Sequence, residues 1–141
     1  MSTDHLSPAA SATLAEWHRI IESQNFAALP SISAADVLFR SPAFFKPYPG
    51  PEAFKVVISA VSTVFEDFKY HRKFTTDDGA SALLEFSARI GDIQLKGIDM
   101  IRFDATGKIA EFEVMIRPGN ALMALGKLMS ERAGPSLKAL L

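Results

Sequence analysis

The chain contains no cysteine, one tryptophan, two tyrosines and three histidines among 141 residues. Without cysteine, a disulfide framework, a thiol nucleophile and a cysteine-ligated zinc site are all excluded. Neither sign of charge is in excess: fifteen Lys and Arg face sixteen Asp and Glu, for a net charge of −1. That balance lacks the basic footprint of a nucleic-acid binder or a polybasic membrane-surface helix, so neither nucleic acid nor membrane is expected as a partner. No apolar run reaches the roughly 18 residues a membrane-crossing helix needs. Met1 to Ala12 holds no Lys or Arg and no long apolar stretch, so no secretory signal is expected and cytoplasm is the default location. Histidines are scattered at positions 5, 18 and 71, with no H-x-x-x-H, H-E-x-x-H or EF-hand spacing. No metal site and no cofactor are expected, and no phosphate loop or dinucleotide fingerprint occurs.

What is present is an ordinary globular composition, 48% hydrophobic and 22% charged. At this length one domain with a real core is the expectation, spanning residues 1–141 with 1–7 flexible and 119–141 a helical C-terminal segment. Ser7-Pro8 is a helix start, an N-cap followed by a proline where a missing N–H costs nothing. Leu14, Trp17 and Ile21 then make one apolar stripe. A short helical turn over Phe26 to Leu29 ends at Pro30, and Asp36 to Ser41 alternates as a strand with Val37, Phe39 and Ser41 on one face. Prolines at 42, 47, 49 and 51 make the next stretch an ordered loop, whose Phe44, Phe45 and Tyr48 need cover. Pro51 opens a second helix carrying Phe54, Val57, Ile58, Val61 and Phe65.

From Glu66 the period switches to two. Strands are predicted over Asp67–Thr75, Ala80–Ile90, Ile93–Phe103 and Lys108–Arg117, joined by Asp77-Asp78-Gly79, Gly91-Asp92 and Asp104-Ala105-Thr106-Gly107. Such Asp and Gly residues suit short hairpins, so an antiparallel meander is the simplest reading. Beyond Pro118-Gly119 a helical stripe of Leu122, Leu125, Leu128 and Met129 runs to a break at Gly134-Pro135. Helices that cover one face of a strongly bent, mainly antiparallel sheet give an α+β fold enclosing a space where a small molecule can bind.

One residue contradicts its surroundings. Asp99 shares a strand face with Leu95, Gly97, Ile101 and Phe103. A carboxyl among apolar neighbours has its pKa raised by desolvation and can stay protonated near neutral pH, able to donate to a ligand oxygen. The alternative is a structural acceptor, or an edge position in water. On the last strand Ala110, Phe112, Val114 and Ile116 face inward, opposed by Glu111, Glu113, Met115 and Arg117. Ser41, Tyr48 and Tyr70 offer hydroxyls to the same interior, and Arg117 stands where the sheet opens, able to take a carboxylate, a phosphate or a salt bridge.

The run from Leu14 to about Arg117 resembles the nuclear-transport-factor-2-like superfamily (NTF2-like), which includes SnoaL-like polyketide cyclases and ketosteroid isomerases. The residues that carry this likeness are Asp36-Val37-Leu38-Phe39-Arg40-Ser41-Pro42, Tyr48-Pro49-Gly50, and Gly97-Ile98-Asp99-Met100-Ile101-Arg102-Phe103-Asp104 leading to Gly107-Lys108-Ile109. The resemblance implies a cone-shaped (cystatin-like) roll, a conical apolar pocket and a homodimer through the outer sheet face. It places Asp99 at the isomerases' oxyanion-hole acid. Trp17 falls at the isomerases' first-helix tyrosine, and Ser41 at their general-base aspartate. A neutral serine cannot accept that proton, so steroid isomerisation by that route is not expected. Where the cyclases use an acid after the last strand, Arg117 stands here. The expected ligand is a small apolar, ring-containing molecule lined by Trp17, Phe39, Ser41, Tyr48, Tyr70, Phe103, Phe112, Val114 and Ile116. Asp99 would serve as acid or oxyanion donor in isomerase, cyclase or dehydratase chemistry; the other reading is a noncatalytic binding or assembly module.

Overall fold

The computed structural model describes residues 5–140. Helix α1 (Pro8–Ser23) begins as the sequence requires, with the Ser7 hydroxyl accepting the Ala10 N–H at 3.2 Å and Pro8 in the first turn. It ends at Gln24, whose left-handed backbone (φ 58°) breaks the helix. Within the segment expected to be flexible, residues 1–7, His5 N–H donates to the Thr75 hydroxyl and Ser7 N–H to the Gly79 carbonyl. Residues 1–4, the rest of that expected segment, lie outside the described residues.

A 3-10 helix (Phe26–Ile32) runs through Pro30 instead of ending before it, since a 3-10 turn loses only one donor to proline. Strand β1 (Ser33–Arg40) thus begins three residues earlier than alternation alone indicates. Tyr48–Pro49 forms the two-residue strand β2 against Leu38 and Phe39. Between them Phe44 and Phe45 do not find the cover expected of them: Phe45 is 100% exposed. Helix α2 (Pro51–Val61) buries Phe54, Val57 and Ile58.

Strands β3 (Glu66–Thr75), β4 (Ser81–Ile90), β5 (Ile93–Phe103) and β6 (Ile109–Arg117) form the meander, and β1 adds parallel to β6. The six-stranded sheet has the order β2-β1-β6-β5-β4-β3, with all other pairs antiparallel. At the β5–β6 turn Gly107 has φ +86°, and a Cβ there would lie 2.6 Å from that of Ala9. Only glycine allows this hairpin tip to seat against the start of α1.

Helix α3 (Gly119–Arg132) turns Ala121 and Leu125 inward, and α4 (Gly134–Leu140) adds Leu137. Arg132 anchors α3 to the end of α2 by donating to the Thr63 hydroxyl at 2.9 Å. The inner sheet face and the helices form two apolar clusters. One surrounds Trp17, Phe54 and Phe112, the other Phe86, Leu95 and Leu125. The outer face carries ion pairs, among them a two-bond Arg72–Glu85 pair that holds the Glu85 carboxyl down to about 2. Among the described residues no helix is long and apolar enough to cross a membrane.

Candidate functional site

Strand alternation turns Asp99 toward the helices, and its cross-strand partners are Leu84 on β4 and Val114 on β6. Only 5% of it is exposed. Desolvation in this apolar setting raises its pKa to about 7, with the hydrogen bond from Tyr70 opposing the rise. Tyr70 comes from β3, two strands away, because the sheet curls enough for its hydroxyl to reach over β4. It donates to Asp99 Oδ2 at 2.5 Å and accepts from the Trp17 indole N–H at 3.0 Å. Burial first, then the Asp99 charge, push the Tyr70 phenol well above its ordinary value, so it stays protonated. Its single proton is committed to Asp99. No enclosed side-chain oxygen or nitrogen among the described residues lacks a partner, and Tyr70 is the one side chain bonded to Asp99, so Oδ1 opens to the cavity.

That cavity has a volume of about 870 Å³, within the range of small-molecule sites. Its walls are Val57, Ile58 and Val61 of α2, the rings of Phe39, Phe86 and Phe112 on the sheet, and Leu125, Met129 and Leu137 from the C-terminal helices. The exposed lining residues Glu22, Gln24, Phe44, Ser130 and Lys138 mark its open end. An apolar chamber with one inward acid can orient a ligand by a single hydrogen bond and otherwise bind by burial.

Of the residues expected at the site, Trp17, Phe39, Ser41, Tyr48, Tyr70, Asp99, Phe112 and Val114 line this cavity. Phe103 and Ile116 do not. Both are on the inner face, but the cavity spans only the middle of the strands. Phe103 is buried where β5 ends against Ile109, and Ile116 packs on the Phe86 and Leu95 cluster under α3. The Ser41 hydroxyl accepts the Ala43 N–H at 3.0 Å, a local turn that starts the proline loop. Arg117 is exposed and lies in a shallow outer groove with Lys96 and Met115, away from the chamber.

The structure adds residues that the sequence reading left out. Phe65, Phe68 and the α3–α4 wall are among them, but the chemically important one is His18. It is half-buried and edge-on to Tyr70, ring centroids 5.2 Å apart. A signal was available: Leu14, Trp17, His18 and Ile21 stand at i, i+3, i+4 and i+7, which puts the imidazole on the apolar stripe itself. Among the described residues no group of three His, Asp or Glu could hold a metal ion.

A comparison with curated proteins gives no match. Among solved structures the chain is 50% identical to a steroid delta-isomerase of Pseudomonas aeruginosa, over 94% of this chain and 97% of that one, with a TM-score of 0.89. It is 29% identical to an uncharacterised protein with a cystatin-like fold from Silicibacter pomeroyi, over 85% and 84% of the two chains, with a TM-score of 0.80. An NTF2-like protein of Mesorhizobium loti, 18% identical over 79% and 93% of the chains with a TM-score of 0.67, shares the fold alone. The family model of the SnoaL-like domain matches residues 14–112, from within α1 to within β6, and includes Asp99. By that match and by its curved six-stranded roll, the chain belongs to the SnoaL-like domain family and has the NTF2-like fold.

Proposed function

We propose that the cavity binds a small apolar ring compound bearing a ketone or phenol oxygen, and that protonated Asp99 donates a hydrogen bond to that oxygen. One observation carries this reading: a carboxyl held to about pH 7 opens into an apolar chamber of about 870 Å³. An acid hydrogen-bonded to a ketone oxygen draws charge onto it, which is the first requirement of isomerase, cyclase or dehydratase chemistry. The relative described as a steroid delta-isomerase supports a polycyclic ketone as the ligand class. A noncatalytic binding module is the second reading, favoured by the serine at position 41, whose hydroxyl closes a turn. The reading includes a cytoplasmic homodimer joined through the outer sheet face, where Met115 is 45% exposed.

Thermal-shift screening of apolar ring ketones and phenols at pH 6 and pH 8, with Asp99→Leu beside the wild type, tests it. A ligand present at one hundred times its dissociation constant stabilises the native state by about 2.7 kcal/mol. The expected result is a stabilising compound whose shift is larger at pH 6, where Asp99 holds its proton, and absent in a folded Asp99→Leu. Equal shifts in both proteins would make the carboxyl irrelevant to binding.

A further inference from the structure

Polarising a carbonyl is half of an enolisation. The other half is a base for the carbon-bound proton, which Ser41 cannot be. The cavity lining holds one imidazole, that of His18. It stands one residue beyond Trp17 on α1 and packs edge-on against the Tyr70 ring, with the planes at 85°. Tyr70 is also the donor to Asp99, so the imidazole and the acid flank the same phenol on the wall of one chamber. The other ionisable lining groups on the helices, Glu22 and Lys138, are exposed at the open end.

The groups that act on His18 are Glu22, one turn on along α1, and Lys73 from β3, with Asp99 beyond Tyr70. Burial is the largest influence and lowers the imidazole pKa below 6.5; Glu22 raises it and Lys73 lowers it. Burial thus favours the neutral ring, which offers a nitrogen lone pair.

We propose that His18 is the proton acceptor that works opposite Asp99 on a cyclic ketone or enone held in this cavity. The proposal rests on the reading of the cavity as a site for oxygen-bearing ring compounds. An imidazole nitrogen takes a proton from the carbon next to the carbonyl. The C–H electron pair becomes the carbon–carbon double bond of an enol, and the carbonyl π pair moves to oxygen, which receives the Asp99 proton. In the reverse direction the imidazolium gives its proton to carbon, Asp99 recovers its own, and the carbonyl re-forms. If the proton returns to a different carbon of a conjugated system, the double bond has moved. No oxidant, reductant or co-reactant is consumed.

The test is deuterium uptake by 2-tetralone, a bicyclic apolar ketone, in D₂O, counted as the rate above the protein-free background. Binding of the same ketone is measured in parallel by thermal shift. For the wild type a bell-shaped pH profile is expected, its acidic limb set by His18 below 6.5 and its basic limb by Asp99 at about 7. His18→Gln should bind the ketone within about twofold of wild type, lose the acidic limb and lose on the order of 100-fold in rate. Binding with an undiminished rate in His18→Gln, or binding without uptake in the wild type, overturns the role of His18 and leaves the binding reading intact. Absence of binding by the wild type overturns both. If His18→Gln does not fold, Glu22→Gln at the exposed end serves instead. Removing that charge should move the acidic limb to lower pH, and an unmoved limb overturns the proposal.

Discussion

Asp99→Asn is expected to be more stable than the wild type at pH 8 by about 4 kcal/mol relative to their difference at pH 4, measured by denaturant unfolding across that range. The unfolded carboxyl titrates near 3.8 and the folded one at about 7. Between those values the native protein holds a proton that the unfolded chain has released, so each rise in pH favours unfolding. The Asp99 contribution is fully present below pH 3.8 and is gone once the pH has passed about 7. Asparagine keeps an oxygen to accept from Tyr70 but has nothing to ionise, so its curve should lack this slope. A wild-type stability that rises with pH relative to the variant would mean that Asp99 is ionised and well paired in the native protein.

Phe54→Ala should lower stability by about 3–5 kcal/mol, a melting-temperature loss on the order of 10 °C or more. Phe54 is fully buried and lies outside the cavity lining. Its ring stacks on Trp17 at 6.2 Å and meets Phe112 at 5.2 Å and Phe39 at 5.9 Å. Three helices and strands lose contact at once when it is removed, and the surrounding rings are too large to close the void. Phe45→Ala, the same chemical change at a fully exposed position, should stay within about 0.5 kcal/mol of wild type. Differential scanning calorimetry of the two variants separates burial from composition. A loss at Phe54 no larger than at Phe45 would mean that the aromatic cluster is not closely packed.

Much of the fold was legible because its signals are local. Gly91-Asp92 fixes the β4–β5 hairpin, and with it the register that brings Asp99 opposite Leu84; the Ile93–Phe103 strand comes out with its predicted ends. Ser7-Pro8 likewise sets the start of α1. Where alternation is weak the boundaries slip, as at Ser33 to Ala35, where serine and alanines carry no inside-outside contrast. The proline loop shows a different limit. Its prolines forbid regular structure but impose no period, so nothing local says that Phe45 points to solvent.

The site was legible in its acid and less so in its surroundings. Alternation identifies the face of a residue but not how far along that face a cavity extends, so it groups Phe103 and Ile116 with Phe112 and Val114. The Tyr70–Asp99 bond spans β3 to β5 and depends on sheet curvature, a global property. The α3–α4 wall was obscured because apolar residues spread around α3, leaving Met123 78% exposed while Ala121 and Leu125 are buried. His18 is an i+4 neighbour of Leu14, next to the larger apolar surface of Trp17.

A carboxyl-carbon NMR titration of Asp99, with and without 2-tetralone, reads out whether a neutral acid stands in the apolar chamber. The expected midpoint is about 7 in the free protein and higher with the ketone bound, since a ligand that accepts from the acid favours its protonated form. A midpoint near 4 that the ketone leaves unmoved would contradict it, and would make Asp99 an ordinary structural carboxylate.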